Sequence, residues 1–225
     1  MHLEILVEDA SGACLLERLM PRILGNEHTW RIHPYKGIGH LPPGMKPKSD
    51  ARRRILLDQL PRLLAGYGKT PGIDAVVVVV DADTHDCREF LTQLQAVLAK
   101  CPSPPRRTLF RLAIEEIESW YLGDREALRR AFPRIHDEKL SHYQQDSVCG
   151  TWEYLVDALY SREEARRFRN ADFATVGELK RKWAIAIGPH MDPERNVSPS
   201  FGKLRDGLRR LVQETPSETG NGRRQ

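Results

Sequence analysis

The stretch Ile73-Asp74-Ala75-Val76-Val77-Val78-Val79-Val80-Asp81-Ala82-Asp83-Thr84-His85-Asp86 decides the fold. Five consecutive valines are poor helix material, because β-branched side chains lose rotamer freedom in a helix and pack well on a pleated sheet. No apolar/polar alternation runs through them. This predicts a strand buried on both faces, as in the middle of a parallel sheet covered by helices. The run stops at Asp81-x-Asp83. Ligands of open α/β sheets sit beyond the carboxyl ends of the strands, and two carboxylates one residue apart there suit a hard, oxygen-seeking cation such as Mg²⁺. The plainer reading is that Asp81 ends the strand and Asp83 or Thr84 caps the next helix.

Outward from this strand the chain alternates. His2 to Val7 reads as a strand, Glu8 to Gly12 as a tight turn, and Ala13 to Leu24 as a helix with Ser11 as its cap and Pro21 as a kink or early stop. Thr29 to Tyr35 is a second strand. Lys36 to Lys48, rich in glycine and proline, is a long loop. Asp50 opens a helix to Leu64, Cys87 to Ala99 is an amphipathic helix, and Thr108 to Ile114 is a fourth strand running into a helix over Glu115 to Leu122. This β-α alternation predicts a mostly parallel sheet of about four strands flanked by helices. Past Gly123 the strand signal ends. Helices are expected at Arg125 to Phe132, Trp152 to Tyr160, Val176 to Ile187 and Phe201 to Val212. The expected organisation is an α/β core over 1–124, a helical extension over 125–213 and a disordered tail over 214–225.

Composition sets the limits. At 225 residues, 40% hydrophobic and 29% charged, the chain is that of an ordinary soluble protein. No apolar run approaches a membrane span, and the N-terminus enters a strand directly, so no signal peptide is expected. Cys14, Cys87, Cys101 and Cys149 show no C-x-x-C spacing, which suits free thiols in a reducing cytoplasm. The net charge of +4 is compatible with nucleic acid without demanding it.

Three acidic clusters fall at equivalent places: Glu8 with Asp9 after the first strand, Asp81 and Asp83 after the third, and Glu115, Glu116 and Glu118 after the fourth. Parallel strands would gather all three at one edge of the sheet. Carboxylates held together repel one another unless a cation joins them. The arrangement resembles the Toprim fold of topoisomerases, bacterial primases and nucleases of the overcoming-lysogenisation-defect type, with Glu8 matching the family's lone Glu and Asp81 and Asp83 its Asp-x-Asp. That resemblance implies Mg²⁺ (or Mn²⁺) on Asp81 and Asp83, and Glu8 as a ligand or general acid/base. Glu118-x-Trp120 resembles the Glu-x-Trp of Toprim-like bacterial defence proteins. Over nearly the whole chain before the tail, Val7-Glu8-Asp9, Val80 to Asp83, Glu115 to Trp120 with Asp124, and Asn196 to Phe201 are similar to an uncharacterised Toprim-like bacterial family, domain-of-unknown-function family 4276. Asp9 departs from the glycine of many Toprim turns. Members of that family are often encoded beside ATPases, so the resemblance implies an ATPase partner and a role in phage defence.

The candidate site is therefore Glu8, Asp81, Asp83 and Glu118 for catalysis, with Glu8, Asp81, Asp83 and Glu115 for metal. Lys36, His40, Lys46, Lys48, Arg52 and Arg53, with Arg54, form the densest basic region and could hold phosphates without reading sequence; a solvated surface is the plainer reading. Lys180-Arg181-Lys182 is a second basic candidate, weaker because Trp183, Ile185 and Ile187 explain that helix as amphipathic packing. Ser198 and Ser200 read as caps of the last helix. His85, beside the aspartates, is either a catalytic assistant or a structural histidine. Gly68-Lys69-Thr70 precedes a strand instead of following one, so it is no phosphate-binding loop, and Gly37-x-Gly39 lacks the rest of a dinucleotide fingerprint. The leading expectation is a Mg²⁺-dependent nuclease acting on DNA or RNA. The alternatives are a non-catalytic Toprim-like module that binds nucleic acid or regulates a partner ATPase, and a different metal enzyme such as a nucleotide-sugar transferase.

Overall fold

The computed structural model describes residues 1–42, 50–147 and 150–213. Four strands, β1 (His2–Val7), β2 (Thr29–Pro34), β3 (Ala75–Asp81) and β4 (Thr108–Ala113), form one all-parallel sheet in the order β2-β1-β3-β4. β3 pairs with β1 on one side and β4 on the other, so the valine run lies inside the sheet. Its residues alternate between two cores. Val77 and Val79 join Leu3, Ile5 and Val7 on one face, and Val76, Val78 and Val80 join Leu6 on the other. All five valines are fully buried. Each stabilises the fold by roughly 1.5–3 kcal/mol before chain entropy is counted.

The second face is covered by α2 (Leu56–Tyr67) and α3 (Cys87–Ala99), through Leu56, Leu60, Leu64, Phe90 and Leu94. The first is covered by α1 (Ala10–Leu24) and by the later helices α4 (Glu118–Leu122), α5 (Arg125–Ala131), α6 (Asp137–His142), α7 (Thr151–Leu159), α8 (Arg162–Arg169), α9 (Phe173–Ile187) and α10 (Pro199–Gln213). The architecture is thus the expected one in class, an all-parallel four-stranded α/β sheet flanked by helices, with further helices after it. The extension shares the apolar cluster of the first face, with Trp120, Trp183 and Phe201 packed among the same residues as Leu15 and Val79. Among the described residues, no helix is long and apolar enough to cross a membrane.

Several local expectations need correction. Asp9, not Ser11, caps α1: its carboxylate accepts from the Gly12 N–H and the Ser11 hydroxyl, both at 2.7 Å. α1 runs through Pro21 to Leu24, and the Gly25 N–H returns to the Pro21 carbonyl. Asp50 opens only a 3₁₀ turn at Ala51–Arg53, and α2 begins at Leu56. The carbonyls of Gly37 and Ile38 receive the Leu56 and Leu57 N–H groups, so the preceding loop meets the donors that a cap would satisfy. α6 and α8 were not anticipated. α8 reads Arg-Glu-Glu-Ala-Arg-Arg-Phe-Arg and buries only Ala165, so it carries no apolar period; a Ser161–Glu164 capping box starts it instead. Ser198 behaves as expected, accepting from the Phe201 N–H at the start of α10. Lys46, Lys48, Cys149 and the tail lie outside the described residues.

Candidate functional site

In the order β2-β1-β3-β4 the chain leaves β1 toward one side and β3 toward the other. The crevice at such a switch point, beyond the carboxyl ends of β1 and β3, is where open α/β sheets place ligands. Glu8 and Asp81 stand there. The Asp81 N–H points at Glu8 Oε2 at 3.4 Å, and Asp81 Oδ1 accepts from the Ile117 N–H at 3.1 Å. The turn after β4 is thereby clipped to the end of β3. Asp83 N–H bonds the Glu115 carbonyl at 2.9 Å, and both residues take left-handed backbone, φ 45° and 56°. Such conformations are uncommon away from glycine and cluster at functional turns. Gly12 lets α1 approach this edge, since a Cβ there would lie 2.7 Å from the Ile117 side chain and 2.8 Å from that of Val7.

The fourth cluster member is Glu118, 2% exposed at the start of α4. It is met by a residue from the far end of the chain. Lys180, on α9, puts its ammonium 2.8 Å from Glu116 Oε1 and 3.2 Å from Glu118 Oε2. Burial disfavours that ammonium, but Glu118, Glu116 and Asp81 outweigh the penalty and hold its pKa above the ordinary lysine value. The acids move the other way. Burial and then the Asp83 carboxylate push Glu8 up to about 7. Burial, then Glu8 and Glu118, hold Asp81 well above the usual carboxylate range. Burial pushes Glu118 up to about 7 against the pull of Lys180, and raises Glu116 as well. Glu8, Asp9, Asp81, Asp83, Glu116 and Glu118 thus feel one another around one ammonium, an excess of negative charge that a further cation would relieve.

The structure brings together Glu8, Asp81, Asp83 and Glu118. It turns Glu115 elsewhere: its carboxylate accepts from the backbone N–H groups of Gly150 and Thr151, at the start of α7. His85 bonds the Ala82 carbonyl at 3.0 Å and stacks on Phe90 at 4.8 Å, which accounts for it structurally. In the basic region, Lys36, His40, Arg52 and Arg53 are exposed. Arg54 is engaged, lying over the Tyr35 ring and donating to the Pro34 carbonyl. The segment starts beside the acids, because the Gly37 N–H bonds the Glu8 carbonyl at 3.1 Å.

Among the described residues, no group of three or more His, Cys, Asp and Glu side chains is arranged to hold an ion as it stands. The donor chemistry nevertheless suits Mg²⁺: the groups are carboxylates, and Glu8 Oε1 and Asp81 Oδ2 accept no hydrogen bond among the described residues. Lys180 is the member that sequence reading undervalued. Its signal is its place on α9, one residue from buried Leu179 and three from buried Trp183, whereas Ile185, which the amphipathic pattern assigns to packing, is 45% exposed. No protein-family model, curated protein or solved structure matches the chain.

Proposed function

We propose that the chain is a metal-dependent nuclease that hydrolyses phosphodiester bonds of DNA or RNA at the edge formed by Glu8, Asp81, Asp83 and Glu118. The observation that carries this reading is the convergence of Glu8, just after β1, Asp81 at the end of β3, Glu118 on α4 and Lys180 on α9 on the switch point of a parallel sheet. Glu8 and Asp81, with Asp83, would hold Mg²⁺ or Mn²⁺, which when bound supplies charge to polarise the phosphate and stabilise the leaving oxygen. Lys180 is suited to a non-bridging phosphate oxygen, as a fixed cation beside the scissile group. Glu118, poised near neutral pH, is suited to exchange a proton with the attacking water or the leaving oxygen. Lys36, His40, Arg52 and Arg53 would track the backbone of the bound strand. A phage-defence role with a neighbouring ATPase belongs to the same reading through the family resemblance, and a cytoplasmic location through the cysteine pattern.

One observation favours a second reading, a non-catalytic module that binds nucleic acid or regulates an ATPase. Lys180 already supplies a counter-charge to Glu116 and Glu118, so the cluster has a metal-free way to exist. Purified protein incubated with plasmid, linear duplex and RNA, in Mg²⁺, Mn²⁺ or chelator, separates the two. The nuclease reading expects cleavage that the chelator abolishes and that Asp81→Asn reduces at least 10²–10⁴-fold. Absence of cleavage, alone and with the neighbouring ATPase, or full activity in Asp81→Asn, favours the second reading.

A further inference from the structure

The carboxylate edge has two adjoining halves. In one, the Asp81 N–H points at Glu8 Oε2, and Asp83 follows two residues on. In the other, Glu116 and Glu118 flank the Lys180 ammonium at 2.8 and 3.2 Å. This second half is fixed from several sides. The Lys180 side chain is only 14% exposed, and the helix that carries it is anchored beside it by buried Leu179, Trp183 and Ala184. The other oxygen of Glu116 lies 3.4 Å from the hydroxyl of Thr151, which is fully buried at the start of α7. Asp81 links the halves, since it feels Glu8 on one side and Glu118 and Glu116 on the other, and Lys180 feels Asp81 in turn.

Phosphodiester enzymes that use two divalent ions set them ~3.5–4 Å apart, each drawing in carboxylate oxygens to ~2.0–2.6 Å. Two adjoining groups of carboxylates have the form of such a site, yet one group already holds a cation. An ammonium is a compact point charge with three donors and no acceptor, and here Glu116 and Glu118 take two of the three. A divalent ion reaches those oxygens only by evicting it. The geometry points to Lys180 standing in the place of a second divalent cation, so that the edge takes a single ion, at Glu8, Asp81 and Asp83. The ammonium supplies positive charge but coordinates no water, so it cannot generate a metal-bound nucleophile. This rests on the nuclease reading and states how many ions its site holds.

The test counts bound Mn²⁺ on the full chain by electron paramagnetic resonance, in wild type, Lys180→Ala, Glu118→Gln and the double variant, with circular dichroism in Mn²⁺ checking the fold. Wild type should bind one ion with an uncoupled spectrum. Lys180→Ala should bind two, spin-coupled because they lie within ~4 Å of each other. Adding Glu118→Gln to it should return the count to one. Glu118→Gln alone should keep the single ion of wild type, because Glu118 serves the ammonium. A coupled pair on wild type overturns the proposal, as does a single ion, or a second uncoupled one, on Lys180→Ala. Loss of the ion in Glu118→Gln alone also overturns it, and that result needs no Lys180 variant to fold. Each of these leaves the nuclease reading standing. Failure of wild type to take up any Mn²⁺ overturns both.

Discussion

Two buried acidic sites, one among the helices after β4 and one at the strand-end edge, are built on opposite terms. Asp124, 1% exposed, is complete. Its carboxylate receives the N–H groups of Ala127 at 3.1 Å and Asp192 at 2.8 Å, and a two-pronged Arg195 guanidinium at 2.9 Å on each oxygen. Both Asp124 oxygens are satisfied, while Glu126 at 3.5 Å and Asp192 at 3.7 Å meet the same guanidinium at the surface, and the result ties the segment before α10 to the start of α5. The strand-end edge is the reverse. Several carboxylates share a single lysine, their pKa values are pushed up, and two turn residues sit in left-handed backbone. A buried ion pair with every oxygen satisfied does structural work. A buried cluster left short of positive charge costs stability, and such clusters mark candidate functional sites.

Neutralising one acid in each region should split them most widely. Asp124→Asn removes the buried, two-pronged partner of Arg195 and leaves it only the longer contacts to Glu126 and Asp192, and chemical denaturation should show a loss of about 2–4 kcal/mol, moderated because Arg195 is one-third exposed. Asp81→Asn, measured the same way in chelator, should lose nothing and gain slightly, because a like-charged neighbour is removed. Equal losses in both would erase the distinction.

Lys180→Met sharpens it next. Without the ammonium, Glu116 and Glu118 are buried with no cation, and stability in chelator should fall by about 1–3 kcal/mol. Mg²⁺ should restore part of this, so thermal unfolding of the variant should depend on Mg²⁺ more steeply than that of wild type. A variant insensitive to Mg²⁺ would mean that the edge has no use for a second cation.

A smaller effect follows from Glu8. Its pKa is raised from 4.5 to about 7, so the folded protein holds that proton more tightly than the unfolded chain does. The stabilisation is fully present below pH 4.5 and is lost as pH rises through about 7. In chelator, wild type should therefore weaken between pH 5 and pH 8 more than Glu8→Gln, the gap reaching on the order of 1–2 kcal/mol at pH 8. Parallel pH profiles would show that Glu8 is not under electrostatic pressure.

The two regions also differ in how far they could be read from the sequence. The strand-end acids were legible because each follows a run of apolar β formers, and parallel strands carry such ends to one edge. Glu8, Asp81 and Glu118 needed only that rule. Lys180 did not fall under it. It lies 62 residues beyond Glu118, inside a Lys-Arg-Lys run whose other two members face solvent, and only tertiary packing separates it from them. Glu115 was assigned with its neighbours, yet its left-handed backbone turns it toward the start of α7, a reversal that no spacing announces. The Asp124–Arg195 pair was equally out of reach, since its partners are 71 residues apart. α6 and α8 were missed because short, charged helices have no apolar period to detect.

The most direct test of the strand-end edge as a cation site is a Mn²⁺ titration of purified wild type, Asp81→Asn and Asp124→Asn, read by electron paramagnetic resonance at a temperature where all three are folded. Wild type and Asp124→Asn should both take up Mn²⁺, and Asp81→Asn should bind it at least tenfold more weakly. No uptake by wild type, or undiminished uptake by Asp81→Asn, would contradict the assignment.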